Sequence, residues 1–359
     1  MKVTFMVGNG FDLCLGLKTR YVDMYESYIE EKNTLQVIED FKQLLREDAP
    51  TGYKTWGDFE MAMGRHAGFF KSERDFVLCT RHFKNHMATH LLNEQNHFLE
   101  PLGNVNICEA IAQEMEHSLG RFYEGLIPND VHTLEELDNG LFQYLGTITF
   151  NYTTTFDWAF ACLDKRNDPS FSGAPIIHVH GSLDSDVVLG VDNPSQIIGA
   201  SYQISRLVSR AFIKPHFNSE FDSKRVKEAQ QLILNSNVLC VYGLSLGESD
   251  QVWIDFIRSW LESDTSHHLV FYRYSERVYS PWMRDASMDE EDAEKEKLLA
   301  KICRKAINSE ELQKSLYPQV HIPIGKDIFA IKALLFKARL GKIVTRKGAF
   351  TENPPSRIG

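Results

Sequence analysis

A chain of 359 residues with 43% hydrophobic and 25% charged side chains has the balance of a soluble globular protein, long enough for a substantial core in one large or two ordinary domains. Its 39 basic and 49 acidic side chains give a formal charge of −10, which argues against broad nucleic-acid binding, because a polyanion is held by a cationic surface that displaces counterions. No apolar stretch approaches the roughly 20 residues of a membrane helix, and the run after Lys2 lasts five residues before Gly8, too short for a signal peptide; a cytoplasmic location with no membrane contact is expected.

The first predicted strand, "KVTFMV", runs into the glycine turn "GNGFD" and then into helical sequence from about Asp12. From residue 21 to 140 the apolar spacing is mostly helical, as in "YVDMYESYIEEKNTLQVIEDFKQLLRE" and "ERDFVLCTRHFKNHMATHLLNEQNHFL", and almost nothing alternates like a strand. This span reads as a large helical insertion after the first strand. Beyond it come short β-rich runs: "YLGTITF", "APIIHVHG", "DVVLGVD", "NVLCVYG", "HHLVFYRY" and "YPQVHIPIG". Helical stretches such as "FDSKRVKEAQQLILN", "DQVWIDFIRSWLE" and "DEEDAEKEKLLAKICRKAIN" fall between the later ones. Such alternation predicts an α/β fold with a mostly parallel sheet covered by helices on both faces. The expected division is a core of residues 1–20 and 141–342, a helical subdomain of 21–140, and a loose tail of 343–359 with two adjacent prolines.

Six cysteines at positions 14, 79, 108, 162, 240 and 303 form no C-x-x-C pair, so neither a zinc ribbon nor a disulfide framework is indicated, and no metal is expected.

Ligands of parallel sheets bind beyond the strand carboxyl ends, so the residues that follow each strand carry the most information. After the first strand, Gly8, Asn9 and Gly10 make a turn whose amides, at a helix start, would suit a phosphate; Leu13 stands where a standard dinucleotide fingerprint has its third glycine. After "GTITF" comes Asn151, either a turn or capping residue or a ligand-facing one. "HVHG" puts His178 and His180 on one strand face, with three readings open: a metal pair lacking a third ligand, one general base, or structural packing. "GLSLG" matches G-x-S-x-G at Gly243, Ser245 and Gly247, the nucleophile elbow of serine hydrolases, for which Asp264 or Asp285 with His321 could complete a triad.

Taken in order, "GNGFDLCLGLKTRY", "WGDFE", "FNYT", "HVHG" and "GLSLGESD" resemble the AbiH family of bacterial phage abortive-infection proteins, and that family resembles the sirtuin-like NAD-binding fold. Gly8, Gly10 and Gly16 match the sirtuin-like glycines, Asn151 the strand-end Asn, His180 and Gly181 the His-Gly pair, and Gly243 to Ser245 the Gly-Thr-Ser-like turn. Two positions depart from that pattern, Thr153 in place of Asp and Asp12 in place of serine, and the paired cysteines of the deacetylase zinc module are missing. The resemblance implies a sirtuin-like, Rossmann-type sheet and a cytoplasmic anti-phage protein with NAD as substrate or ligand. The implied nucleotide-binding residues are Gly8, Asn9, Gly10, Phe11, Asp12, Gly243 and Ser245, with Asn151 and His180 catalytic in an NAD glycohydrolase. A phage-derived trigger and a homo-oligomer are the implied partners. The alternatives are a non-catalytic nucleotide sensor and a serine hydrolase using Ser245.

Overall fold

The computed structural model describes residues 1–339 except 53–58, 101–106, 124–125, 138–140, 222, 276–279, 281 and 326–327. The 343–359 tail and the first three residues of "WGDFE" therefore lie outside the described residues. Strand β1 (Lys2–Val7) leads into the short helix α1 (Gly10–Leu15), and helices α2 (Tyr21–Glu30), α3 (Gln36–Gly52), α4 (Phe59–Arg65), α5 (Glu73–Leu99), α6 (Cys108–Gly120) and α7 (Pro128–Glu136) follow. The chain then continues through β2 (Gln143–Thr149), α8 (Thr155–Asp164), β3 (Ile176–His178), α9 (Arg206–Phe212), α10 (Lys214–Phe221), α11 (Ser223–Leu234) and β4 (Val238–Tyr242). It closes with α12 (Gln251–Ser263), β5 (His268–Phe271), α13 (Arg284–Ile302), α14 (Ser309–Leu316), β6 (Val320–His321) and α15 (Ile331–Arg339).

The six strands form one sheet in the order β3-β2-β1-β4-β5-β6, and every neighbouring pair is parallel. This is a Rossmann-like α/β fold, with the strand order reversing between β1 and β4. Both faces are dry because the strands are apolar on both sides. On β4, Val238, Cys240 and Tyr242 join Val3, Phe5 and Val7 in one core, which α6 fills with Ile111 and Met115. Leu239 and Val241 point into the opposite core, against Ile254 and Ile257 of α12 and Leu298 of α13.

A third core lies off the sheet, where Tyr28, Phe41, Phe59, Phe76 and Phe83 pack with Leu189, Val191 and Phe212. Its membership explains why "DVVLGVD" is not a strand, contrary to expectation: only isolated bridges form at Val187 and Val191. The alternating Val187, Leu189 and Val191 face the third core, while the backbone bonds to loops, with the Val188 amide donating to the His180 carbonyl and the Val191 amide to the Phe212 carbonyl.

Candidate functional site

Register places the site. Val7 is opposite both Thr149 and Tyr242, and Thr149 is opposite His178. One row of residues therefore ends four strands together, and the next residues along each, Gly8, Phe150, Val179 and Gly243, start loops at a single edge. The reversal of strand order between β1 and β4 opens a crevice at that edge. A cleft of about 640 Å³ occupies it, within the usual range for small-molecule sites.

The two glycine turns are locked together by backbone. The Gly8 amide donates to the Tyr242 carbonyl at 2.9 Å and the Gly10 amide to the Gly243 carbonyl at 2.8 Å. A Cβ on Gly10 would stand 2.3 Å from Gly243 Cα, and one on Gly243 2.6 Å from Gly10 Cα, where φ is +66°. Glycine is thus required at both positions for the turns to touch. The same bonds correct one expectation: the turn is not a row of free N–H groups. The Phe11 amide donates to Gly8 and the Leu13 amide to Asn9. Among the described residues, the Asn9 and Asp12 amides are the ones left without an acceptor in this turn. Asn9 itself is fixed by Thr19, donating from Nδ2 to the Thr19 carbonyl at 3.1 Å and accepting from Oγ1 at 2.5 Å.

Asp12 lines the cleft but is almost fully buried. Thr153 donates to Oδ2 at 2.7 Å and Thr155 to Oδ1 at 2.5 Å, so the first two loops are bolted to each other. Burial pushes the carboxyl up to about 6, against the lowering effect of the two hydroxyls. Thr153, where the sirtuin-like pattern has Asp, is therefore the partner of Asp12, where that pattern has serine.

Asn151 is buried, and its Nδ2 has no hydrogen-bond partner. An orphaned buried donor is costly and marks a place for an acceptor. The residue is held from behind by His178, whose Nδ1 lies 3.0 Å from the Asn151 carbonyl and whose Nε2 lies 3.1 Å from both oxygens of Asp157. Both ring nitrogens face acceptors, which suits the doubly protonated ring. Burial pulls the His178 pKa down, but the hydrogen bond and charge of Asp157 outweigh it and the value is raised. His178 thus braces the Asn151 loop against α8; among the described residues no group of three His, Cys, Asp or Glu is placed to hold a metal ion.

His180 belongs to a buried charged array. Its Nε2 lies 3.5 Å from Asp250 Oδ1, and the same oxygen lies 3.1 Å from Lys214 Nζ. Lys214 also reaches Glu60 Oε2 at 2.9 Å. Burial first, then the charge of Lys214, lower His180 to about 3 even though Asp250 pulls the other way, so the ring is neutral at physiological pH. For Lys214, burial is outweighed by Asp250 and Glu60, and its pKa is raised. Phe150 meets the imidazole edge to face at 5.1 Å.

A family model described as "Bacteriophage abortive infection AbiH" matches residues 4–272, a span that holds the loops after β1, β2, β3 and β4. The chain belongs to the AbiH family. It therefore has a role in bacteriophage abortive infection. No curated protein matches it.

Of the residues singled out from the sequence, this AbiH chain brings Asn9, Gly10, Asp12, Asn151, His180, Gly243 and Ser245 to the wall of one cleft. Gly8 stands behind it, and Phe11 is a core residue, with its ring 5.1 Å from Phe156 and 5.3 Å from Phe329. Among the described residues no hydrogen bond joins the Ser245 hydroxyl to a histidine, and the left-handed non-glycine residue of the turn is Leu246, at φ +49°, not the serine. His321 is engaged elsewhere, 3.0 Å from His268 and 2.9 Å from Asp130 without hydrogen-bond alignment to the latter. Missed altogether was Lys214, in "AFIKPHF", where a lone cation among apolar residues was the available signal. Its partners Glu60 and Asp250 end the quoted segments "WGDFE" and "GLSLGESD", so a motif on the helical insertion reaches the site through this lysine.

Proposed function

We propose that this AbiH protein binds NAD in the cleft between β1 and β4 and hydrolyses the nicotinamide–ribose bond once infection activates it. One observation carries the reading: loops from four separated stretches converge on a single cleft at the point of strand reversal, the place where such sheets hold dinucleotides. The buried Asn151 Nδ2 without an acceptor supports a ligand oxygen beside it. The amides of Asn9 and Asp12, with Arg20 and Arg273 on the cleft wall, would hold the pyrophosphate.

In this reading the C–N bond breaks with its electrons leaving on nicotinamide, and positive charge builds on the ribose. Glu60 and Asp250, both at the cleft wall, favour that charge. Asn151 orients the ribose or the attacking water, and His180 takes the proton from the water. A neutral imidazole of low basicity serves here because water becomes acidic as it bonds to an electron-poor carbon. Falling NAD would then halt the host before the phage matures, with a phage component or a change of assembly state as the trigger. The same low basicity favours a second reading, a nucleotide sensor that binds without cleaving and signals through another protein.

The deciding experiment mixes purified protein with NAD, with and without components of phage-infected cells, and follows nicotinamide by chromatography. Release that His180→Ala slows by roughly 10²–10⁴ supports the hydrolase. Absence of release under every condition, or full release by the variant, rejects it; binding without product, with phage protection surviving His180→Ala, selects the sensor.

A further inference from the structure

Lys214 opens α10 with its side chain only 4% exposed. An ammonium has three donors, and three oxygens stand around this one: Glu60 Oε2 at 2.9 Å, Asp250 Oδ1 at 3.1 Å and the Ser249 carbonyl at 3.1 Å. Glu60 is itself anchored by the Gly190 amide, which donates to Oε1 at 3.1 Å. The array thus ties α4, α10 and the loop after β4 to one nitrogen. Asp250 Oδ1 is the shared atom, since it also faces His180 Nε2 at 3.5 Å.

A buried carboxylate with no other cation beside it would draw a proton onto the imidazole and turn it into an acid. We infer that Lys214 is the positioning residue for His180: by neutralising Asp250 and pinning its Oδ1, it orients the ring through Nε2 and leaves Nδ1 bare as a proton acceptor. The catalytic consequence rests on the role proposed above for His180, whereas the positioning stands without it.

The other groups around the ring act in known directions. Arg225 opposes protonation together with Lys214, while Asp250 favours it. Arg225 is itself held by Asp186 at 2.7 Å. Tyr152 lies 6.5 Å away, ring to ring, and is neutral because burial raises its pKa. Asp192, pushed up to about 6 by burial, borders with His180 and Lys214 a second cavity of about 400 Å³ behind the ring. Removing Lys214 therefore shifts the balance at His180 toward the imidazolium.

The test is nitrogen-detected NMR of the full chain labelled at histidine, with His180 assigned by His180→Gln. In the wild type the ring is expected in the Nε2–H tautomer at neutral pH and uncharged down to at least about pH 5. The double variant Glu60→Gln/Lys214→Met removes one buried charge of each sign, so the net charge of the array is kept while Asp250 is left facing His180 without another cation. Its His180 midpoint is expected to rise by at least about one pH unit, and Lys214→Arg to restore the low value. An Nδ1–H tautomer or an imidazolium in the wild type at pH 7 overturns the inference, as does a folded double variant that titrates like the wild type. Nicotinamide release is measured separately: its absence beside the expected NMR result removes the proposed hydrolysis and leaves the role of Lys214 standing.

Discussion

Replacing Gly10 by alanine sets a local preference against a long-range contact. Gly10 is the first residue of α1 and is not in the left-handed region, so helix propensity alone favours alanine by up to about 1 kcal/mol. Against that, the new Cβ would stand 2.3 Å from Gly243 Cα, where an ordinary contact is about 3.4 Å, and the two turns have to part by about 1 Å. Neither neighbour is a side chain that can swing away. Overpacking of this kind costs about 1–3 kcal/mol, and stretching the 2.8 Å bond from the Gly10 amide to the Gly243 carbonyl adds about 1 kcal/mol. The net expectation is a loss of about 1–3 kcal/mol, read as a lower urea midpoint with unchanged slope. Gly243→Ala should cost more, because φ at that site is +66° and a left-handed alanine carries about 1–2 kcal/mol of its own. The double variant should fall short of the sum, since turns already parted need not part twice. An equal or higher midpoint for Gly10→Ala, or a smaller loss for Gly243→Ala than for Gly10→Ala, would refute the interlock.

Asp12, with its carboxyl raised from 3.8 to about 6, binds its proton more tightly folded than unfolded; its share of stability is present at low pH and is lost as pH rises through about 6. Those two units correspond to about 3 kcal/mol, so urea midpoints between pH 4 and 7 should fall less steeply in Asp12→Asn than in the wild type. His178 has a raised value, hence its stabilisation is full below about pH 6.5 and disappears as pH climbs through the folded value; His178→Leu should lack that decline in the same titration. A fluorophosphonate probe should leave Ser245 unlabelled, labelling being the adverse outcome. Asn151→Ala should be as stable as the wild type or more so, because it removes an unpaired donor, and should weaken nucleotide binding; a marked drop in thermal midpoint would mean that Nδ2 has a protein partner.

The strands and the edge that carries the site were legible because buried parallel strands read as short apolar runs, and because their order in the chain puts the loops after them on one side. The dual use of Gly10 was not legible. Its contact is the backbone of Gly243, 233 residues later, and a glycine that admits a phosphate looks the same in sequence as one that admits another glycine. "DVVLGVD" alternates like a strand, yet its apolar residues serve the third core, a partner that periodicity cannot distinguish from a sheet. Asn151 and His180 stood out by their place after strands. The brace on the first, His178 with Asp157, and the array around the second, Lys214 with Glu60, come from distant stretches and have no shared spacing to reveal them.

Calorimetric titration of NAD into the purified chain, in parallel with Asn151→Ala, addresses the convergence of the four loops on one dinucleotide most directly. One saturable site per chain in the wild type, weakened in the variant, is the outcome expected. Heat that never saturates, or a site of equal affinity in both proteins, would contradict it.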